Sequence, residues 1–147
     1  MEVISVDTCF YCEKDERLDK LMIKITELSR SIVYLNRNQN HKGRCIVAFK
    51  EHRNEYFQLS PAENAGFFAD VSLTAKALAN VFEPGKINYA TFGDLVPHAH
   101  FHIVPKYPGG PQWGKFFEDE PKLFLSEDEY RERIQLIKAE LDRLGQI

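Results

Sequence analysis

The chain has 147 residues, of which 44% are hydrophobic and 28% charged, and its 19 basic side chains face 22 acidic ones for a net charge of -3. That length and balance are expected of a single folded domain, residues 1–147, and exclude the broad basic surface that polymeric nucleic acid requires. No apolar run approaches the ~20 residues needed to span a bilayer, and Met1 to Asp7 lacks a basic stretch ahead of an apolar one, so neither a membrane span nor an export signal is read.

In chain order, a short segment (1–14) holds Cys9-Phe10-Tyr11-Cys12. A Cys-x-x-Cys pair alone is compatible with redox chemistry, metal binding or coincidence. Three cysteines, an odd number, in a chain without an export signal fit a reducing interior, so the expected location is the cytoplasm. From Asp15 to Leu28, apolar residues at Leu18, Leu21, Met22, Ile25 and Leu28 recur every three or four positions, which predicts an amphipathic helix. Ser31 to Leu35 is β-branched and apolar and predicts a strand. The polar stretch 36–42 ends at Gly43 and reads as a connection, followed by a second, antiparallel strand over Cys45–Phe49.

Ser60-Pro61-Ala62-Glu63 is a capping box with proline in the first turn. The helix it opens should run to about Phe82, where Pro84-Gly85 stops it, with Phe67, Phe68, Val71, Leu78 and Val81 on its apolar stripe. A strand over Ile87–Phe92 and a turn at Gly93-Asp94 lead to a histidine-rich stretch. Pro108 to Gly114 is an irregular loop whose Trp113 reads as a packing anchor or dimer contact. Ser126 and Glu129 form another capping box, opening a final helix (126–144) through Tyr130, Ile134, Ile137, Leu141 and Leu144. The predicted class is α+β: a mostly antiparallel sheet with a long helix packed on it and an additional C-terminal helix.

The stretch that carries chemistry is His98-Ala99-His100-Phe101-His102-Ile103-Val104, which holds three of the five histidines at every second position. Residues two apart on a strand share a face, whereas a helix would scatter these rings by ~100° per residue. One face thus presents imidazoles and the other Ala99, Phe101 and Ile103. Imidazoles so arranged can bind a metal, or bind phosphate and supply a nucleophile, or be ordinary packed or solvent-facing rings.

The alternation resembles the defining motif of the histidine-triad (HIT) family of nucleotide hydrolases and transferases, and the likeness extends from the cysteine pair to about Trp113. The resemblance implies a HIT-like fold and a two-fold homodimer. It implies His100 as a nucleophile that attacks the α-phosphorus of a nucleotide to form a nucleotidyl-histidine, with His102 hydrogen-bonding the phosphate or leaving oxygen and His98 beside them. Asn36 matches the position that holds the ribose hydroxyls; as a residue after a strand it is equally an ordinary turn asparagine. Asn88 matches a phosphate-contacting amide, and is otherwise a solvent-facing strand residue. In members with an N-terminal cysteine pair, the positions of Cys9, Cys12, His52 and His98 hold a structural zinc ion, which leaves His41 and Cys45 spare. One segment departs from the pattern: Phe92 to Pro97 is short, and Asp94 stands where an amide is usual.

The function so implied is hydrolysis of a dinucleoside polyphosphate or nucleoside phosphoramidate. Nucleotidyl transfer through the same intermediate is the alternative. Two further classes are a nucleotide-binding module without turnover, and a hydrolase whose three strand histidines hold a catalytic metal with a position open for water.

Overall fold

The computed structural model describes residues 8–145. Five antiparallel strands, β1 (Met22–Glu27), β2 (Ser31–Asn36), β3 (Cys45–Phe49), β4 (Lys86–Ala90) and β5 (His100–Lys106), form one sheet in the order β1-β2-β3-β5-β4. Two short helices, α1 (Phe10–Glu13) and α2 (Glu16–Leu21), precede it; α3 (Pro61–Phe82) crosses between β3 and β4, and α4 (Glu127–Gly145) follows β5. Among the described residues, no helix is long and apolar enough to cross a membrane.

Every residue of β2 and β3 is buried, because both faces of the sheet are covered. Alternation assigns the faces. Val33, Leu35, Cys45, Val47, Phe49 and Ile103 pack under α3 and α4 against Phe67, Val71, Leu78, Ile137 and Leu141. Ile32, Tyr34, Ile46 and Ala48 point the other way and meet the N-terminal segment through Cys9, Tyr11 and Leu18. Each large apolar side chain so buried contributes roughly 1.5–3 kcal/mol. Cys45 is a small core residue, as its neighbours suggest, and burial raises its thiol pKa.

Both predicted capping boxes form. Ser60 Oγ accepts from Glu63 N while Glu63 Oε1 accepts from Ser60 N, and Ser126 and Glu129 repeat the exchange. Of the predicted α3 stripe, Phe67, Val71 and Leu78 are buried, whereas Phe68 is exposed and only its ring edge reaches Phe101.

The helix expected from Asp15 to Leu28 does not form as one element. It ends at Leu21, and Met22–Glu27 is strand β1. Burial on both faces of the sheet explains the misleading periodicity, and the strand is irregular besides. Met22, Ile23 and Lys24 pair with Asn36, Leu35 and Tyr34, but Val33 pairs with Thr26, so Ile25 is an extra residue in a bulge. Met22 packs with the N-terminal segment and Ile25 with the core under α3 and α4, so two buried residues three positions apart on opposite faces imitate a helical spacing. The histidine strand is shifted by two residues, since β5 runs from His100 to Lys106 and leaves His98 ahead of it, and β4 ends at Ala90.

Asp70, in mid-α3, is buried, and its carboxylate accepts from Ser31 Oγ (2.7 Å), Arg30 N (2.9 Å) and Ser29 Oγ (3.4 Å), fastening α3 to the β1–β2 turn. Asp70→Ala leaves two close donors without their acceptor and is expected to cost about 3 kcal/mol. Urea unfolding at unchanged m-value checks this, and Asp70→Asn should recover part of the loss.

Candidate functional site

On the sheet face opposite α3, cross-strand partners line up in rows. His100 sits opposite Ala48, His102 lies between Ile46 and Ala90, and Asn36 and Arg44 form the next row, joined by the Asn36 N–H to the Arg44 carbonyl (3.0 Å). Here a cavity of about 260 Å³ opens, lined among others by Tyr11, Asn36, Arg44, His100, His102 and Asp119.

His100 is buried, and its Nδ1–H donates to the carbonyl of His98 at 2.5 Å. That bond fixes the tautomer and leaves Nε2 with a free lone pair. Two further hydroxyls, Tyr56 Oη (2.9 Å) and Thr91 Oγ1 (2.7 Å), donate to the His100 carbonyl and hold its backbone. The Tyr11 ring tilts over both His98 and His100, with centroids 5.1 and 5.2 Å away. Burial pulls the His100 pKa below its ordinary value and so favours the neutral ring.

His102 accepts at Nδ1 from Arg44 Nη2 (3.2 Å), so its proton resides on Nε2. Arg44 also donates to Asp119 Oδ1 (2.9 Å) and lies 4.9 Å over the Phe117 ring. Burial first, then the charges of Arg44 and His100, lower the His102 pKa to about 3. Although burial acts to raise Asp119, the hydrogen bond and charge of Arg44 hold its carboxyl below the usual range. The unfolded chain therefore takes up a proton on His102 near pH 6.5 while the folded one resists until about pH 3. The resulting contribution to stability is complete above pH 6.5 and is lost as pH falls toward 3. Urea titrations at pH 7 and pH 4.5 should show this loss, and His102→Gln should make the difference smaller.

His98 turns away from the cavity. Its Nε2–H donates to the Phe49 carbonyl at 2.7 Å, and its Nδ1 lies 3.3 Å from Cys9 Sγ, 3.7 Å from Cys12 Sγ and 3.3 Å from His52 Nδ1. Cys12 Sγ and His52 Nδ1 are 3.4 Å apart. The four ligand atoms lie within 4.8 Å of one another. The cysteines come together because the turn of α1 brings the Cys12 and Glu13 N–H groups onto the Cys9 carbonyl and ends at Lys14 in the left-handed region. Two sulfurs and two imidazole nitrogens at this separation form a donor set suited to tetrahedral zinc. The Nε2–Phe49 bond already presents the His98 lone pair at Nδ1, as an outer partner does for a metal-bound histidine. Burial, followed by the hydrogen bond and charge of Cys9, pushes the Cys12 thiol up to about 12. Both nitrogens of His98 are thus engaged away from His100 and His102, and the three strand imidazoles do not converge on one point.

The other sequence-matched residues separate. Asn36 is buried on the cavity wall; its Nδ2 donates to the Asn38 carbonyl (3.0 Å), leaving Oδ1 to accept. Asn88 lines a different opening, with Lys86, Lys106 and Trp113. Asp94 is exposed and does not line the histidine cavity. His41 is not merely a loop residue: it is buried, and its Nε2 meets Gln112 Oε1 at 2.7 Å, which steadies the segment bearing Phe117 and Asp119. Tyr11, Arg44 and Asp119 escape a sequence reading, because each gains its role only from partners distant in the chain.

An α+β sheet with an imidazole pair flooring a small cavity, and a third histidine turned to a cysteine pair, defines a histidine-triad protein. The chain belongs to the HIT family, whose HIT domain model matches residues 19–109. It is 31% identical over 104 residues to the adenosine 5'-monophosphoramidase of Schizosaccharomyces pombe, spanning 67% of this chain and 74% of that one. The fold matches a histidine triad protein from Bradyrhizobium japonicum with TM-score 0.79 at 22% identity, over 86% of this chain and 96% of the other. It also matches a zinc-bound histidine triad family protein from Mycobacterium smegmatis with TM-score 0.69 at 22% identity, over 97% and 99% of the two chains.

Proposed function

We propose that this protein is a nucleotide hydrolase acting at the α-phosphate of a dinucleoside polyphosphate or nucleoside phosphoramidate through a nucleotidyl intermediate on His100, with nucleotidyl transfer as the alternative outcome. One observation carries the reading: the His100 Nδ1–H is committed to a carbonyl, so the Nε2 lone pair is available at the cavity floor. Membership of the family and the likeness to a phosphoramidase support it.

Nε2 attacks phosphorus as the bond to the leaving group breaks, and the His98 carbonyl stabilises the resulting imidazolium through Nδ1–H. His102 donates its Nε2–H to a phosphate oxygen, and Asn36 Oδ1 accepts from a ribose hydroxyl. Water, or another acceptor, then attacks phosphorus and loses its proton to solvent as the P–N bond breaks, returning the electron pair to Nε2. Positioning and charge stabilisation supply most of the rate in such a reaction, and a buried, doubly anchored strand residue suits it. Asn88 stands in the row of Asn36 and Arg44 beyond Val104, where only an extended phosphate chain would reach it.

Cys9, Cys12, His52 and His98 would hold a zinc ion, which supplies charge for the thiolates and a fixed position for His98 rather than chemistry on substrate. A zinc-bound protein of the same fold is consistent with this. We place the protein in the cytoplasm as a homodimer. The test is a rapid quench of purified protein with diadenosine tetraphosphate or adenosine phosphoramidate, followed by peptide mass spectrometry. Adenylylation of the His100 peptide is expected; turnover with no such adduct, in a protein whose activity tracks a metal, would overturn the reading.

A further inference from the structure

Arg44 enters the cavity from the end of the β2–β3 connection with its side chain 5% exposed. Its guanidinium touches Asp119, Phe117 and His102. Arginine offers donors and no acceptor, and it does not give up its proton in a protein. The bond to His102 therefore has one polarity. Nδ1 of His102 accepts, Nε2 carries the hydrogen, and a second proton on Nδ1 would set N–H against N–H beside a fixed positive charge. The other groups facing His102 are His100 and the rings of Phe92 and Phe117. The nearby carboxylate, Asp119, is already bound to Arg44.

We infer that Arg44 is a positioning residue that locks His102 as a neutral hydrogen-bond donor, and that it thereby restricts the protein to nucleotides whose leaving group departs as a stable anion, the phosphoanhydrides, in preference to phosphoramidates. The inference rests on His100 being the nucleophile. In the anhydride reaction, the N–P bond forms from the Nε2 pair of His100. The bridging P–O bond breaks with its pair on oxygen, and the polyphosphate leaves unprotonated while His102 keeps its hydrogen and only donates a bond. In the phosphoramidate reaction the departing nitrogen takes the pair and must gain a proton. A neutral His102 could give one only by becoming an imidazolate, which the site does not support. A guanidinium thus selects the leaving group without touching it.

The experiment measures kcat/KM between pH 5.5 and 8 for diadenosine tetraphosphate and for adenosine 5'-phosphoramidates of increasingly basic amines. Wild type is compared with Arg44→Met and Arg44→Gln. Methionine keeps the contact with Phe117 and strands no buried charge, because the Asp119 side chain is 68% exposed. Glutamine keeps a donor without the charge and guards against a packing defect in the first variant. Wild type should favour the anhydride by about 100-fold or more, the usual worth of a missing general acid, with rates that fall as the amine becomes more basic. In Arg44→Met the phosphoramidate-to-anhydride ratio should rise by about tenfold or more, with a new titration between about pH 5 and 7 as His102 becomes protonatable. A general loss of nucleotide binding cancels in that ratio. Equal cleavage of both substrate classes by wild type, or an unchanged ratio in both variants, would overturn the inference. Failure of wild type to cleave either substrate, with no adduct on His100, would instead overturn the reading of the nucleophile on which it rests.

Discussion

His100→Ala is expected to lower kcat/KM by at least about 10⁴-fold, a loss of roughly 5.5 kcal/mol of transition-state stabilisation. The size follows from the site. Nε2 of His100 is a lone pair at the cavity floor, and its partner nitrogen is held on the His98 carbonyl at 2.5 Å. The neighbouring His102 cannot substitute, because its Nδ1 is taken by Arg44 and its Nε2 carries a hydrogen. His102→Ala should therefore cost less, about 10²–10³-fold, the usual worth of one donor aimed at developing charge. Circular dichroism and nucleotide binding should stay close to wild type in both variants. Turnover by His100→Ala within tenfold of wild type would exclude covalent catalysis on this ring.

Chelation, or the substitution Cys12→Ala, should lower stability by at least about 3 kcal/mol and abolish the binding of one equivalent of zinc. Two sulfurs and two imidazoles packed within 4.8 Å would lose the ion proposed to join them, while the sheet face under α3 keeps its own core. Activity should fall in parallel although none of the thiols faces the cavity. His98 offers its ring to the cluster of Cys9, Cys12 and His52 and its backbone carbonyl to His100, so movement of one disturbs the other. Metal analysis alongside urea unfolding and turnover checks the coupling. Protein that is purified without zinc and is indifferent to chelator would refute it.

Legibility in the sequence followed the range of the interactions. β2, β3, α3 and α4 were readable because each is specified within its own segment, by continuous apolar runs buried on both faces or by a capping box and a stop. The triad was readable because its spacing is itself the strand period. β1, bulged at Ile25, was hidden because Met22 and Ile25 are buried on opposite faces of the sheet, and their interval of three reads as a helical spacing. Arg44 was hidden for a different reason. Nothing local marks a lone arginine ahead of a strand, and the partners that give it meaning, His102 and Asp119, lie 58 and 75 residues further on. Asn36 and Asn88 each matched a position of the family pattern, yet only the topology reveals that one reaches the histidine cavity and the other opens on a separate one.

The same bulge also gives the sheet a growing end and a dead end. β1 and β4 are its two borders. A kinked border with Lys24 and Glu27 beside the kink makes a poor template, whereas β4 pairs with β5 without a register shift and offers a straight ladder outward. A sheet that accepts a strand at one border alone can join a second copy about a two-fold axis, and that union consumes the sole receptive edge. An assembly built in this way would close after one step, and the residue that would limit its growth is the extra isoleucine of the β1 bulge.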